Sequence, residues 1–289
     1  MENGPVVALF MGPGKGGAGV STLAANVAWL VSQRLPIGEY VGLVDASIGA
    51  NATVSRLFGL GFNEGGRCVS NGLWEYILDT SGQRVKLSYK PVDKLLIVTP
   101  GCMSSVEVGW GLGELLSIFN NNPDAVARYV QGKLVNLVIG LGARITVIDL
   151  PSSVSRPIAW PFLGISDVVV VVGKWGTLHA PEVNETLSMI EDYRQFEGRG
   201  VITIVVENLI NPKADDVDEM RRYIRHGFDR YIQLKRSDVV DLLTSKYRDI
   251  AVRYSGDPQA RREGEFREWV DGVGAIADVV TELARRRWG

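Results

Sequence analysis

The chain has 289 residues, a length that allows one large α/β domain or two small ones and is ample for a buried core. Its composition is ordinary for a soluble globular protein, and a net charge of −2 gives no general attraction to nucleic acid or anionic membrane. Two cysteines, Cys68 and Cys102, are too few for a disulfide framework and lack metal-ligand spacing, so we expect reduced thiols and a cytoplasmic protein. The first residues carry no signal-peptide pattern, and no apolar run approaches the about 20 residues of a membrane-spanning helix.

Short aliphatic runs alternate with helical patterns along the chain. Nearly every residue in these runs is apolar, which is typical of strands buried on both faces of a parallel sheet. The alternation predicts an α/β fold with a single doubly wound, mostly parallel sheet, helices on both faces, and one domain over residues 1–289. The predicted strands cover residues 6–11, 40–44, 95–98, 145–150, 167–172 and 201–206.

The segment after the first predicted strand, residues 12–22, reads G-P-G-K-G-G-A-G-V-S-T and leads into a helical pattern. Closely spaced glycines let backbone N–H groups converge on phosphate oxygens at a helix N-terminus. The usual phosphate-binding loop, G-x-x-x-x-G-K-S/T, would have a lysine immediately before Ser21. Val20 occupies that position, and Lys15 lies inside the loop instead. The segment therefore predicts a phosphate-binding loop with its lysine displaced.

Two later predicted strands end in aspartates, Asp45 and Asp149. The carboxyl ends of parallel strands meet at the ligand crevice of such a sheet. Asp149 could hold Mg²⁺ there through water, while the Ser21 hydroxyl ligates the ion directly. The sequence thus predicts a metal site of Ser21 and Asp149 beside the loop.

These residues resemble the ParA/MinD family of deviant Walker A ATPases, whose loop K-G-G-x-G-K-S/T-S/T corresponds to K-G-G-A-G-V-S-T here. The resemblance runs through most of the chain. It implies binding of ATP or ADP with Mg²⁺, and an ATP-dependent homodimer that positions or segregates a cargo, either DNA or a membrane- or pilus-associated assembly. Its further matches in chain order are residues 44–47, 72–78, 96–101, 149–151 and 166–172.

The resemblance also implies roles for particular residues. Lys15 would reach across the dimer to the partner's phosphates, and Lys15 and Asp45 would be the catalytic residues. Asn208 would hydrogen-bond the adenine, and the segment 232–236 would cover the base. Thr22 would lie near the α-phosphate. The nucleotide-binding residues implied in this way are Gly14, Lys15, Gly16, Gly17, Ala18, Gly19, Val20, Ser21, Thr22, Asn208, Lys235 and Arg236.

Two residues depart from the family pattern. Val20 replaces the lysine that contacts the β- and γ-phosphates, and Ser47 replaces the second aspartate of the D-x-D motif, which orients the attacking water. Both changes predict that nucleotide binding is kept while hydrolysis is weak or absent. Val20 also fits the loop K-G-G-x-G-A/S-S/T of the CpaE/TadZ branch, which places type IV pilus machinery at the cell pole, better than it fits the loop of the partition proteins.

Two other functions remain open from the sequence. The chain could be a pseudo-ATPase scaffold that no longer binds nucleotide. It could also be an NAD(P)-dependent oxidoreductase, because Gly12, Gly14 and Gly17 match G-x-G-x-x-G. That motif leaves Ser21 and Asp149 unexplained, and Asp45 lies farther along the chain than the acid of such a site.

Two basic segments suggest contacts with larger partners. Residues 221–236 could touch DNA, or could form a solvated helix that buries Met220, Tyr223, Ile224 and Phe228. Residues 285–288 could touch membrane or DNA, or could end a terminal helix, 263–288, docked on the core. The histidines, His179 and His226, are too far apart in sequence to indicate a metal site. No adaptor protein can be named from the sequence.

Overall fold

The computed structural model describes residues 4–13, 16–48, 52–60, 71–81, 87, 89–151, 156–211, 213, 220–247 and 249–288. Within these residues, eight strands form one sheet in the order β3-β4-β2-β5-β1-β6-β7-β8. The strands are β1 (Val6–Met11), β2 (Val41–Asp45), β3 (Tyr89–Val92), β4 (Leu95–Val98), β5 (Ile145–Asp149), β6 (Val168–Lys174), β7 (Ile202–Ile210) and β8 (Arg230–Lys235).

Helices connect most of these strands. They are α1 (Val20–Arg34), α2 (Thr53–Leu57), α3 (Leu73–Leu78), α4 (Ser105–Ile118), α5 (Pro123–Gly140), α6 (Arg156–Ile165), α7 (Ala180–Glu197), α8 (Asp238–Leu242) and α9 (Gly264–Trp288). A π-helical turn, Leu243–Tyr247, extends α8. Among the described helices, none is long and apolar enough to cross a membrane.

The sheet is parallel except at one edge, where β3 runs antiparallel to β4. The predicted fold class, a doubly wound and mostly parallel α/β sheet, is confirmed. β1 lies in the middle, between β5 and β6. In sheets of this kind, ligands bind outside the carboxyl ends of the strands near the point where the strand order reverses. The fold therefore places the end of β1 at the expected ligand crevice.

Alternate residues of β1 enter two separate cores, one on each face of the sheet. Val6 and Phe10 pack in the core that contains α1 and α9, whereas Val7 and Leu9 pack in the core that contains α5, α6 and α7. Side chains of a strand alternate between its faces, so a strand that is apolar at every residue needs cover on both. This double burial explains why β1 is an unbroken apolar run.

The sequence did not predict the two edge strands. β3 is exposed along most of its length and contains Pro91, while β8 begins and ends with charged residues. Edge strands have one unpaired side and need not be apolar throughout, so they lack the signal of the central strands. The end of β7 was also predicted too early, because the strand continues to Ile210 and contains Asn208.

The alternative of a solvated helix in the basic segment 221–236 is wrong. A single 3₁₀ turn, Arg221–Tyr223, is followed by irregular chain and then by β8, which pairs with β7. Met220 is buried, as expected, but Tyr223 is 55% exposed. Pairing with β7 holds residues 230–235 in an extended conformation, which a helical interpretation of the pattern cannot anticipate.

The expectation of reduced thiols is also wrong, because Cys102 is disulfide-bonded. The other cysteine of the sequence, Cys68, lies outside the described residues. Sequence spacing alone does not tell whether the chain brings two distant cysteines within bonding distance.

The end of α9 is tied to the amino-terminal edge of the sheet. Arg287 donates to both carboxylate oxygens of Asp167, at 2.7 and 3.1 Å, and to the carbonyl oxygen of Pro5 at 3.1 Å. The aromatic ring of Trp288 lies under the guanidinium group of Arg144, 5.8 Å away. Arg286 pairs with Glu282 one turn earlier in α9. Three of the four residues in the segment 285–288 are therefore engaged by the protein itself, and contact of this segment with membrane or DNA stays a prediction.

Candidate functional site

A cavity of about 1000 Å³ opens at the carboxyl ends of β1, β5 and β7. This volume is at the upper end of the range for ligand-binding pockets. The cavity is lined by Gly16, Gly17, Ala18, Gly19, Val20, Ser21, Thr22, Ser47, Ile48, Thr53, Asp149, Leu150, Pro151, Asn208, Leu209, Lys235, Arg236, Ser237, Val240, Asp241, Thr244, Ser245 and Trp269. Most of the predicted nucleotide-binding residues therefore meet in one place. Gly14 and Lys15 lie outside the described residues.

Residues 16–22, which lead from the loop after β1 into the first turn of α1, line this cavity. Gly17 and Gly19 have backbone φ angles of 95° and 85°, in the left-handed region that favours glycine. Gly19 precedes the first turn of α1, and no side chain caps its N–H groups and no acidic residue lies in that turn. Free N–H groups and the positive end of the helix dipole attract an anion, so the loop has the features of a phosphate site.

Asn208 holds this loop from the side of β7. Its side-chain amide donates to the carbonyl oxygen of Ala18 at 2.8 Å. A Cβ atom on Gly19 would lie 2.5 Å from the same amide nitrogen, so no larger residue fits there without a shift. The Oδ1 atom of Asn208 is buried and has no hydrogen-bond partner among the described residues. The Oδ1 atom can therefore accept a hydrogen bond from a ligand at the cavity wall.

Asp149 is buried in the floor of the cavity, with 2% of the residue exposed. It pairs in register with Asp45 of β2, so two carboxyl groups end neighbouring strands. Burial, and then the negative charge of Asp45, raise the pKa of Asp149 to about 8, while a hydrogen bond from Ser21 lowers it. Its Oδ1 atom has no partner within the described part of the chain.

The arrangement of Asp149 and Ser21 fits a divalent cation. A buried carboxylate beside a second acid is unfavourable, and a nearby positive ion would relieve that cost. Mg²⁺ typically takes one or two protein oxygens and completes its shell with water and phosphate. The described residues contain no cluster of three histidine, cysteine or acidic side chains.

Asp45 faces the backbone rather than the cavity. One carboxylate oxygen accepts from the N–H of Ser47 at 3.1 Å, and the other accepts from the N–H and hydroxyl of Ser55 at 2.9 and 2.8 Å. Burial raises the pKa of Asp45, and these hydrogen bonds lower it. Asp45 therefore links the end of β2 to Ser47 and to Ser55 of α2, and Ser47, not Asp45, lines the cavity. A catalytic role of Asp45 stays a prediction.

The two departures from the family pattern are both visible in the cavity wall. Val20 is 9% exposed and packs in the core with Leu23 of α1. Ser47 is buried, and its carbonyl oxygen accepts from the indole N–H of Trp74 at 2.9 Å. Neither position presents a charge to the cavity.

Lys235 and Arg236 lie at the rim of the cavity, each beside an acid. Lys235 forms a salt bridge with Glu268 at 2.9 Å, and Arg236 with Asp241 at 2.9 Å. Their charges are thus partly balanced by the protein. Among the cavity residues that the sequence did not indicate, Thr244 lies in the π-helical turn and Trp269 belongs to α9. Nothing in the local sequence of either element signals that it approaches the loop.

The remaining basic and histidine residues lie apart from the cavity. The guanidinium group of Arg221 lies 5.4 Å from the ring centre of Tyr231, and His226 pairs with Glu191 at 2.9 Å. His179 contacts the nearby Glu182 at 3.4 Å. Each histidine therefore has a single acidic partner, which differs from a metal-binding arrangement.

No protein-family model matches the chain, and no curated protein matches its sequence. Solved structures match its fold. A complex of Cyanothece McdA with ATP has a TM-score of 0.67 at 13% identity, over 96% of this chain and 97% of that chain. MinD of Pyrococcus horikoshii with Mg-ADP has a TM-score of 0.64 at 14% identity, over 98% of each chain. A ParA family ATPase of Chlorobium tepidum has a TM-score of 0.59 at 17% identity, over 94% and 98%. The fold is therefore that of phosphate-loop NTPases of the ParA/MinD type.

Proposed function

We propose that this protein binds ATP with Mg²⁺ in the cavity beside the loop and works as an ATP-dependent dimerisation switch that positions a cargo. The observation that carries the proposal is the unpartnered Asp149 oxygen at the floor of that cavity, next to Ser21 and the loop. The fold supports it, since structures of this type have been solved with ATP and with Mg-ADP. ParA/MinD family membership is part of the proposal, as is a single domain over residues 1–289.

Each group in the site has a defined task in this proposal. The loop N–H groups at residues 16–22 would bind phosphate oxygens, and Ser21 and Asp149 would hold the cation. Mg²⁺, when bound, would neutralise negative charge on the phosphates. The unpartnered Asn208 oxygen would accept from the exocyclic amine of the adenine, and Lys235 and Arg236 would line the base end of the cavity.

We further propose that ATP turnover is slow or absent. The apolar Val20 supplies no charge for the β- and γ-phosphates, and Ser47 provides no carboxylate to orient water. Lys15 would supply the missing positive charge across the dimer. We expect little phosphate release from wild-type protein with ATP and Mg²⁺, and more from the double variant Val20→Lys, Ser47→Asp. If the wild type hydrolyses ATP as fast as the double variant does, this part of the proposal is contradicted.

Isothermal titration tests nucleotide binding. We expect saturable heat with ATP and Mg²⁺, and a loss of at least about tenfold in affinity for Ser21→Ala. Ser32→Ala is the matched control, because Ser32 is also a serine of α1 and its hydroxyl donates to Trp29 within the helix. If wild-type protein gives no heat and no thermal stabilisation with ATP and Mg²⁺, the pseudo-ATPase scaffold is the better function. Stabilisation by NADH in place of ATP would indicate the oxidoreductase.

Light scattering tests the dimer. We expect the mass in solution to double on addition of ATP and Mg²⁺, and to stay that of one chain with ADP or in the Lys15→Ala variant. A dimer that forms equally without nucleotide would contradict an ATP-dependent switch. Asp278→Ala serves as a control with an altered surface charge, because Asp278 lies on α9 and forms an exposed salt bridge with Arg34 of α1.

The cargo is open between DNA and a membrane- or pilus-associated assembly, the latter in line with the CpaE/TadZ-like loop. For DNA, the exposed Arg221 and Arg225 offer the test. We expect a salt-sensitive mobility shift with non-specific duplex DNA, lost in Arg221→Ala, Arg225→Ala. No shift at low salt would exclude DNA as the direct cargo. A cytoplasmic location stays a prediction, and the disulfide at Cys102 does not support it, because disulfides are rare in that compartment.

A further inference from the structure

The carboxyl end of β7 carries two energetically costly residues, one on each side of Asn208. Glu207 is a carboxylic acid with 0% of its surface exposed. Leu209 has a backbone φ of 61°, in the left-handed region that β-strand leucines avoid. The pairing of β7 with β8 is also irregular between Glu207 and Ile210. Burying an acid and straining a backbone both cost stability, and such costs persist where the surrounding structure uses them.

Glu207 joins the strands and loops around it. Its Oε2 atom accepts from the hydroxyl of Tyr231 at 2.7 Å and from the side-chain amide of Gln233 at 3.2 Å, both on β8. Burial raises the pKa of Glu207, and its hydrogen bonds to Tyr231 and Gln233 and the backbone of Gly176 and Met220 lower it. Its Oε1 atom has no hydrogen-bond partner among the described residues. The Glu207 side chain thus bonds β7 to β8 through two residues of that strand.

The position of Asn208 depends on the turn after β6, which lies near Glu207. Its carbonyl oxygen accepts from the N–H of Trp175, the residue before Gly176, at 2.8 Å. Its side chain reaches the opposite face of the sheet and donates to Ala18 of the loop. Because neighbouring residues of a strand point to opposite faces, Glu207 anchors β7 on one face while Asn208 contacts the loop on the other.

We propose that Glu207 is a positioning residue that holds Asn208 against the phosphate-binding loop. Glu207 does not line the cavity, so it acts on a ligand only through Asn208. The expected effect on nucleotide affinity rests on the proposed nucleotide site. There, a displaced Asn208 would loosen the loop and move its Oδ1 atom away from the adenine. The contact between Asn208 and Ala18 itself can be tested without nucleotide.

Three variants distinguish the effect of the hydrogen bonds of Glu207 from the effect of its side-chain volume. Glu207→Val removes the carboxyl group and keeps a residue suited to a strand. Glu207→Gln keeps an acceptor for Tyr231, and Tyr231→Phe removes only the hydroxyl that Glu207 accepts from. Val205→Ala is the matched control, because Val205 is buried on β7 two residues earlier and belongs to the core on the same face. If Glu207→Val fails to fold, Tyr231→Phe still removes one contact.

The first measurement is amide hydrogen exchange of residues 16–22 without nucleotide. We expect exchange to become at least about fivefold faster in Glu207→Val, less so in Tyr231→Phe, with rescue in Glu207→Gln and no change in Val205→Ala. We expect the acceleration to vanish in an Asn208→Ala background, where the contact with Ala18 is already lost. Equal acceleration in both backgrounds, or in Val205→Ala, would show a general loosening of the fold and overturn the inference.

The second measurement is the affinity for ATP and Mg²⁺. We expect a loss of about tenfold in Glu207→Val and no further loss when Asn208→Ala is already present. Normal affinity in Glu207→Val would overturn the inference while leaving the proposed function intact. If the wild type binds no nucleotide, the proposed function fails, and the exchange measurement still decides the role of Glu207.

Discussion

Asp149 and Asp167 are two poorly exposed aspartates of the same sheet, one at the carboxyl end of β5 and the other at the amino end of β6, and they differ in their partners. Asp167, before β6, has 10% of its side chain exposed and accepts from Arg199, from Arg287 and from the N–H of Val7. Asp149, at the end of β5, retains an oxygen with no partner within the described residues. The fold can evidently satisfy a buried carboxylate where it needs one for stability.

The difference separates structural from functional use of the same side chain. A fully paired carboxylate ties chain segments together, as Asp167 ties α9 to β1. An unpaired, buried carboxylate costs stability in the free protein and is retained where a ligand completes its contacts. We therefore expect changes at the two aspartates to have opposite effects on stability and on nucleotide binding.

The largest effect is expected at Asp167. Asp167→Asn should lower the free energy of unfolding by about 3 kcal/mol, because Arg287 and Arg199 would lose the charge that they share. The affinity for nucleotide should stay unchanged. Urea denaturation and titration with ATP and Mg²⁺ measure the two quantities. Arg286→Ala is the control, since Arg286 pairs with Glu282 on the exposed side of α9, and it should stay within about 0.5 kcal/mol of wild type. If Arg286→Ala lowers the free energy of unfolding as much as Asp167→Asn does, the stabilising role of the Asp167 contacts is contradicted.

Asp149→Asn should act in the other direction. Without ligand, the variant should be more stable than the wild type at pH 8 by at least about 1 kcal/mol, because it has no buried charge to accommodate. It should also lose most of the stabilisation by ATP and Mg²⁺. Thermal denaturation with and without the ligand measures both effects. A variant that is destabilised in the free protein would mean that Asp149 is a structural residue like Asp167.

The pH dependence sharpens the same contrast. The folded pKa of Asp149, about 8, lies above its unfolded value of about 3.8, so the unfolded chain releases this proton first as the pH rises. The contribution of Asp149 to stability is complete below pH 4 and is lost as the pH rises toward about 8. Asp149→Asn should therefore reduce the loss of stability between pH 5 and pH 8 in denaturant titrations. Parallel curves for the two proteins would contradict the raised pKa.

The central part of the site could be predicted from the sequence because its signals are local. A glycine-rich segment between an apolar run and a helix, and Asp149 at the end of another apolar run, are both visible in short stretches of chain. Asp149 is indeed buried in the cavity wall with Ser21. The fold class followed from the same runs, since central strands of a parallel sheet must be apolar on both faces.

The residues that surround the central part of the site could not be predicted, because their positions depend on contacts between segments that are distant in sequence. The salt bridge of Lys235 with Glu268 joins an edge strand to α9, and the role of Glu207 depends on Tyr231 in the same unpredicted strand. Likewise, nothing near Asp167 in sequence indicates that Arg287 binds it. A polar edge strand has no distinctive periodicity, so its partners stay hidden until the sheet is assembled.

The last expected effect concerns the contact between the loop and β7, at Gly19. Gly19→Ala should lower the free energy of unfolding by about 1 to 2 kcal/mol, because alanine is strained at a φ of 85° and its Cβ atom would meet the Asn208 amide at 2.5 Å. The affinity for ATP and Mg²⁺ should fall as well, since the same displacement moves the loop.

Gly132→Ala in α5 is the matched control for Gly19→Ala. Its added Cβ atom would meet nothing within 4 Å, and alanine is favoured over glycine in a helix interior, so we expect a gain of about 0.5 to 1 kcal/mol with unchanged affinity. In an Asn208→Ala background, Gly19→Ala should keep only the cost of its backbone strain, because the steric clash is gone. A double-mutant cycle in urea measures this coupling. If the two changes are additive, Asn208 does not restrain the loop, and the link between β7 and the phosphate site is lost.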